Sequence, residues 1–128
     1  MGYGLRMPNS LRIVVGVLGG FFFLSGLNWI IDPAAAAQGL GVALPEGLAR
    51  STLIGDLGSF FLTAGTLILL GAITAQAHWL QAAALLFGGA AIMRMLAWAM
   101  HGADFAVVFI VSEIVSTALL LFAASRAT

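Results

Sequence analysis

Apolar residues fill four long stretches of the chain, at about 11–31, 51–73, 78–100 and 105–124, and polar residues gather between them. At ~1.5 Å per residue, each stretch is long enough to cross ~30 Å of hydrocarbon as an α-helix. The pattern predicts an all-α membrane protein, one domain over residues 1–128, built as a bundle of four transmembrane helices. Asp32-Pro33 ends the first span, because the residue before a proline is pushed out of the α region, and Pro45-Glu46-Gly47 marks a second break. Between them, AAAAQGLGVAL is open to three readings: a short interfacial helix, a re-entrant lid or a plain loop. Ser51 is the predicted N-cap of the second span, Gly102 the C-cap of the third and Asp104 the N-cap of the fourth. Ala34, Ala35 and Ala36 resemble a signal-peptide cleavage site, but the apolar run before them exceeds the usual ~7–15 residues, so that run is expected to stay as a span. Gly16 and Gly20, with Gly19 and Gly26, predict a flat face on which a neighbouring helix can lie close.

Composition agrees. The chain is 62% hydrophobic and 8% charged, with mean hydropathy +1.10, whereas about a quarter of the residues of a soluble domain are charged. It has no lysine, its basic residues are all arginine and its net charge is zero, so no basic surface for nucleic acid is expected. The absence of cysteine excludes disulfides, thiolate catalysis and cysteine-built metal sites, and His78 and His101 are too few for a histidine cage, so no metal is expected. His78 and Trp79 read as interfacial anchors. An even number of spans puts both termini on one side, and that side holds Arg6, Arg12 and Arg126 against Arg50 opposite. The positive-inside rule makes the termini cytoplasmic, in what is expected to be a bacterial inner membrane.

The candidate chemistry lies inside the spans: Arg94 in IMRMLAWAMHGAD, Asp56 in LIGDLGSFFL and Glu113 in FIVSEIVSTALL. Ionisable residues in such settings are functional-site candidates, because each costs ~2.5–3.5 kcal/mol at a helix centre unless it is partnered. Helical spacing puts Thr52, Asp56, Ser59, Thr63 and Thr66 on one face, predicted to look into the protein. It puts Phe87, Ala91, Arg94, Trp98 and His101 on a second stripe, and Phe109, Glu113, Ser116 and Thr117 on a third. Counted from the non-cytoplasmic ends, Asp56 and Arg94 lie at a depth of about 9 Å, Glu113 at about 13 Å and Asn28 at about 4 Å, which is one layer. The expected ligand-binding set is Arg94, Asp56, Glu113, Trp98, Asn28 and Ser59, and the candidates for catalysis are Glu113, Asp56 and His101.

The order LNWIIDP, IGDLGSFFLTAG, FGGAAIMRMLAWAMHGAD and SEI resembles a family of small bacterial four-helix membrane proteins of unknown function, over roughly Gly16 to Arg126. In topology it is similar to the DoxX-like membrane proteins, some of which are associated with quinone-linked redox chemistry. The first resemblance implies no reaction and the second only an architecture. Three functions follow as expectations. The first is a site for an amphipathic small molecule (quinone, isoprenoid or lipid), its head at Arg94, Asp56 and Glu113 and its tail among Phe60, Phe61, Phe87 and Phe109, with proton transfer by a carboxylate if the protein is an enzyme. The second is a structural or accessory subunit, with an ion-pair staple and a surface for a partner membrane protein or a second copy. The third and weakest is a proton-coupled transporter, since broken-helix repeats are not evident.

Overall fold

The structure, a computed structural model, describes residues 7–128; Arg6 lies outside them. Its helices are α1 (Asn9–Ile31), α2 (Pro33–Gly39), α3 (Gly47–Thr74), α4 (Ala77–His101) and α5 (Val107–Ser125). α1, α3, α4 and α5 are each long and apolar enough to cross a membrane. The protein is an integral membrane four-helix bundle. Its surface is that of a molecule dissolved in lipid: Ile13, Ile31, Leu85 and Val108 stand outward, each at least 66% exposed. Its interior is built largely from small residues, with Ala64, Ala72, Ala83 and Ala123 buried beside Val15, Ile68, Leu80 and Leu120. Lipid tails are as apolar as these side chains, so close packing rather than the hydrophobic effect holds the helices together.

The closest approach is between α1 and α3, and glycines set it. A Cβ at Gly26 would stand 2.6 Å from the backbone nitrogen of Leu62. One at Gly65 would overlap the backbone of Phe23 and come within 2.8 Å of the Gly19 carbonyl oxygen. The expected Gly16/Gly20 pair contributes little, since Gly16 would meet only the Ala72 Cβ at 3.9 Å and Gly20 faces open space. Spacing identifies a flat strip on α1, but the crossing point with α3 selects the Gly19/Gly26 edge of it.

Two caps differ from expectation. α3 begins a turn before Ser51, at Gly47, and Glu46 precedes it without a side-chain cap; α5 begins at Val107 after Ala106, so Asp104 lies in the loop. Gly102 ends α4 as expected, at φ 65°, where a side chain would be strained. Asp32-Pro33 both stops α1 and starts α2: Asp32 accepts a hydrogen bond from the Ala35 N–H at 3.2 Å, and Pro33 occupies the first turn. Residues 33–39 are therefore helical. Arg12 has a role that charge counting did not reveal. It donates from Nε to the Ala72 carbonyl at 2.8 Å and from Nη2 to the Ile73 carbonyl at 2.6 Å, satisfying the last carbonyls of α3. Thr128 pairs with Ala75 and Ala77 through its backbone, so the start of α1, the α3–α4 turn and the C-terminus gather at one end of the bundle.

α1 packs along α3, and α4 packs along α5. The two pairs meet between α3 and α4, with Leu80 set against Gly71 close to the turn, while α1 and α5 barely touch. Toward the end that carries α2 the pairs part, and a pocket lies between them.

Candidate functional site: a pocket between two helix pairs

The pocket holds about 680 Å³ and draws lining residues from all five helices, a volume within the ~300–1,000 Å³ typical of small-molecule sites. One wall is aromatic. Phe22 lies 4.5 Å from Phe87 and 6.0 Å from Phe61, ring centre to ring centre, and Phe60 meets Phe87 edge-on at 5.8 Å. Ala35, Ala36, Gly39 and Leu40 bring α2 and the residue after it across one end, as an apolar cap. At the side, the α1 and α5 surfaces that line the pocket also face outward: Phe21 is 63% exposed and Val115 59%. The pocket is thus continuous with the lipid-facing surface through the gap between α1 and α5.

Set into this apolar volume is one ion pair. Arg94 Nε on α4 stands 2.9 Å from Glu113 Oε1 on α5. The contact is close but poorly directed, and Oε1, although buried, receives no well-aimed hydrogen bond. The Phe109 ring supports the guanidinium from below at 4.8 Å. The helix geometry explains the meeting: Phe109 and Glu113 stand four residues apart on α5, so both present to the same stretch of α4. Thr117 turns its hydroxyl to the Glu113 carbonyl at 2.7 Å, a bond within its own helix that leaves the carboxylate untouched. Asn28, Ser25, Ser112 and buried Ser116 supply the remaining polar groups of the lining. Buried Trp29 lies beside them. Among the described residues, no group of three histidine or carboxylate side chains comes together as a metal site would need.

Of the expected site residues, the fold therefore brings together Arg94, Glu113 and Asn28. It does not bring Asp56 and Ser59 to them. The face of Thr52, Asp56, Ser59, Thr63 and Thr66 is exposed and points away from the bundle. Helical periodicity shows that these residues share a face but not which way it turns, and on α3 the inner face is taken by Gly58, Ala64, Gly65 and Ile68, which allow the close approach to α1. Ser59 and Thr66 settle their hydroxyls on the carbonyls of Asp56 and Leu62. Trp98 and His101 also stand apart. Trp98 is 52% exposed and meets Phe105 edge-on at 5.1 Å. His101 is exposed at the end of α4 and is not part of the pocket lining. Of the readings open for the stretch after Asp32, a short helix at one end of the pocket is the one observed, as α2. Ser25 and Ser112, the polar edge of the pocket, carried too little signal to be placed from sequence.

Comparison with known protein families, characterised proteins and solved structures returned no match. The resemblance to the four-helix family thus rests on the quoted residues alone, and that to the DoxX-like proteins on topology alone.

Proposed function

We propose that the protein binds an amphipathic small molecule from the bilayer, of the quinone, isoprenoid or lipid kind, with its head at the Arg94–Glu113 pair and its tail along the phenylalanine wall. The observation that carries this reading is the buried Glu113 oxygen without a directed donor, at the edge of a largely apolar pocket. An unsatisfied buried acceptor costs ~1–3 kcal/mol or more when charged, and a ligand hydroxyl or amide would remove that cost. The apolar cap and the side gap favour a molecule that arrives through lipid. The Arg12 and Arg126 end of the bundle is the cytoplasmic one under this proposal, in a bacterial inner membrane, which places the pocket in the outer half of the bilayer. Catalysis would require a proton donor or acceptor at the head, and Glu113 is the one carboxylate in position.

Trp29 gives a direct test, since it lines the pocket and is 1% exposed. In a Trp79→Phe/Trp98→Phe background it is the sole indole. A brominated isoprenoid should then quench its fluorescence saturably, whereas quenching that only rises linearly with probe would reject the pocket. A second reading, an accessory subunit of a membrane complex, is favoured by the outward polar face of α3, where Asp56 is exposed among hydroxyl side chains. The two readings use different residues of α3 and do not compete.

A further inference from the structure

Arg94 and Glu113 together carry no net charge, and among the described residues no other ionisable side chain lines the pocket. An anionic head placed there would bring a second negative charge beside the Glu113 carboxylate, and a cationic head a second positive charge beside Arg94, each in a medium that screens weakly. The hydrogen-bonding capacity is likewise mixed. Arg94 holds Glu113 through Nε, so its two Nη groups have donors to offer, while Glu113 Oε1 lacks a directed donor. A head that fits must be neutral and must both accept and donate within one small group. Building on the proposed amphiphile site, we infer that the ligand is an uncharged hydroxyl-headed amphiphile, such as an isoprenoid alcohol or a quinol, and not a phosphorylated or carboxylated lipid. Its hydroxyl donates to Glu113 Oε1 and accepts from Arg94 Nη, and its tail follows Phe22, Phe60, Phe61 and Phe87 toward the α1–α5 gap.

Three probes with one tail separate the possibilities: a fifteen-carbon isoprenoid alcohol, its monophosphate and the corresponding hydrocarbon. Each is titrated into the full chain carrying Trp79→Phe and Trp98→Phe, in one neutral detergent, against displacement of the brominated isoprenoid that quenches Trp29. The alcohol is expected to bind about tenfold or more tightly than either of the others, since one uncompensated charge or one unmade pair of hydrogen bonds is worth at least that factor. Glu113→Gln leaves Arg94 unopposed and should reverse the order of alcohol and monophosphate. The wild-type comparison decides the matter even if that variant folds poorly. Monophosphate binding as well as or better than the alcohol in the wild type, or hydrocarbon matching the alcohol, overturns the inference while leaving an amphiphile site in place. Failure of all three to displace the quencher, or the absence of saturable quenching, overturns the underlying site as well.

Discussion

Arg94→Leu is expected to destabilise the bundle by about 3 kcal/mol, and Arg94→Leu/Glu113→Leu to recover most of that loss. The reason is an asymmetry of buried pairs: removing one partner strands the other charge, at ~3–5 kcal/mol, whereas replacing both with apolar groups of similar size is often neutral. The lower end applies because the Arg94 side chain is 35% exposed, whereas that of Glu113 is 13% exposed and would be left facing an apolar pocket. Denaturation of the two single variants and the double variant in one detergent measures the coupling. Strictly additive losses would mean that the 2.9 Å contact contributes nothing to stability. Asp56→Leu should behave differently. Asp56 faces outward with no ion-pair partner among the described residues, so its loss should not couple to Arg94 at all.

Gly65→Ala should cost a comparable amount, about 3 kcal/mol, although it adds a single methyl group. That methyl would meet the backbone of Phe23 and the Gly19 carbonyl, and backbone cannot rotate out of the way. α1 and α3 would have to move apart along the seam that forms one wall of the pocket. Gly20→Ala is the matched control. It lies in α1 facing open space, and there alanine should be neutral or gain up to about 1 kcal/mol from helix propensity. Equal stability of the two variants would show that the close crossing of α1 and α3 is wrong.

The contrast between those two glycines also marks how far the sequence can be read. Span number and approximate limits follow from apolar length alone, because a helix in lipid must satisfy its backbone internally and has a fixed thickness to cross. That Arg94 would meet a carboxylate was also legible, since a charge in hydrocarbon must find its opposite and depth counting put Arg94, Asp56 and Glu113 in one layer. The choice between Asp56 and Glu113 as the partner was not. In a soluble protein, a polar face turns outward to water and an apolar one inward, but in lipid helix association depends on close packing, and the rotation of α3 follows the side that carries glycine. Gly65 and Gly58 turned that face toward α1 and sent Asp56 outward. Trp98 and His101 were misplaced for a simpler reason. The loop before α5 runs to Ala106, and Trp98 packs on Phe105 of that loop instead of on the pocket.

The central claim, a ligand held between the two helix pairs, is tested most directly by native mass spectrometry of the protein extracted gently from its own membranes, beside an Ala90→Trp variant. Ala90 lines the pocket one turn before Arg94 on α4, and an indole there would fill the space beside the ion pair that a bound amphiphile needs. Wild type should retain a small amphiphile at one copy per chain, and Ala90→Trp should lose it while remaining folded. A wild-type protein that carries no small molecule, or one whose bound molecule is unaffected by filling the pocket, would contradict the claim.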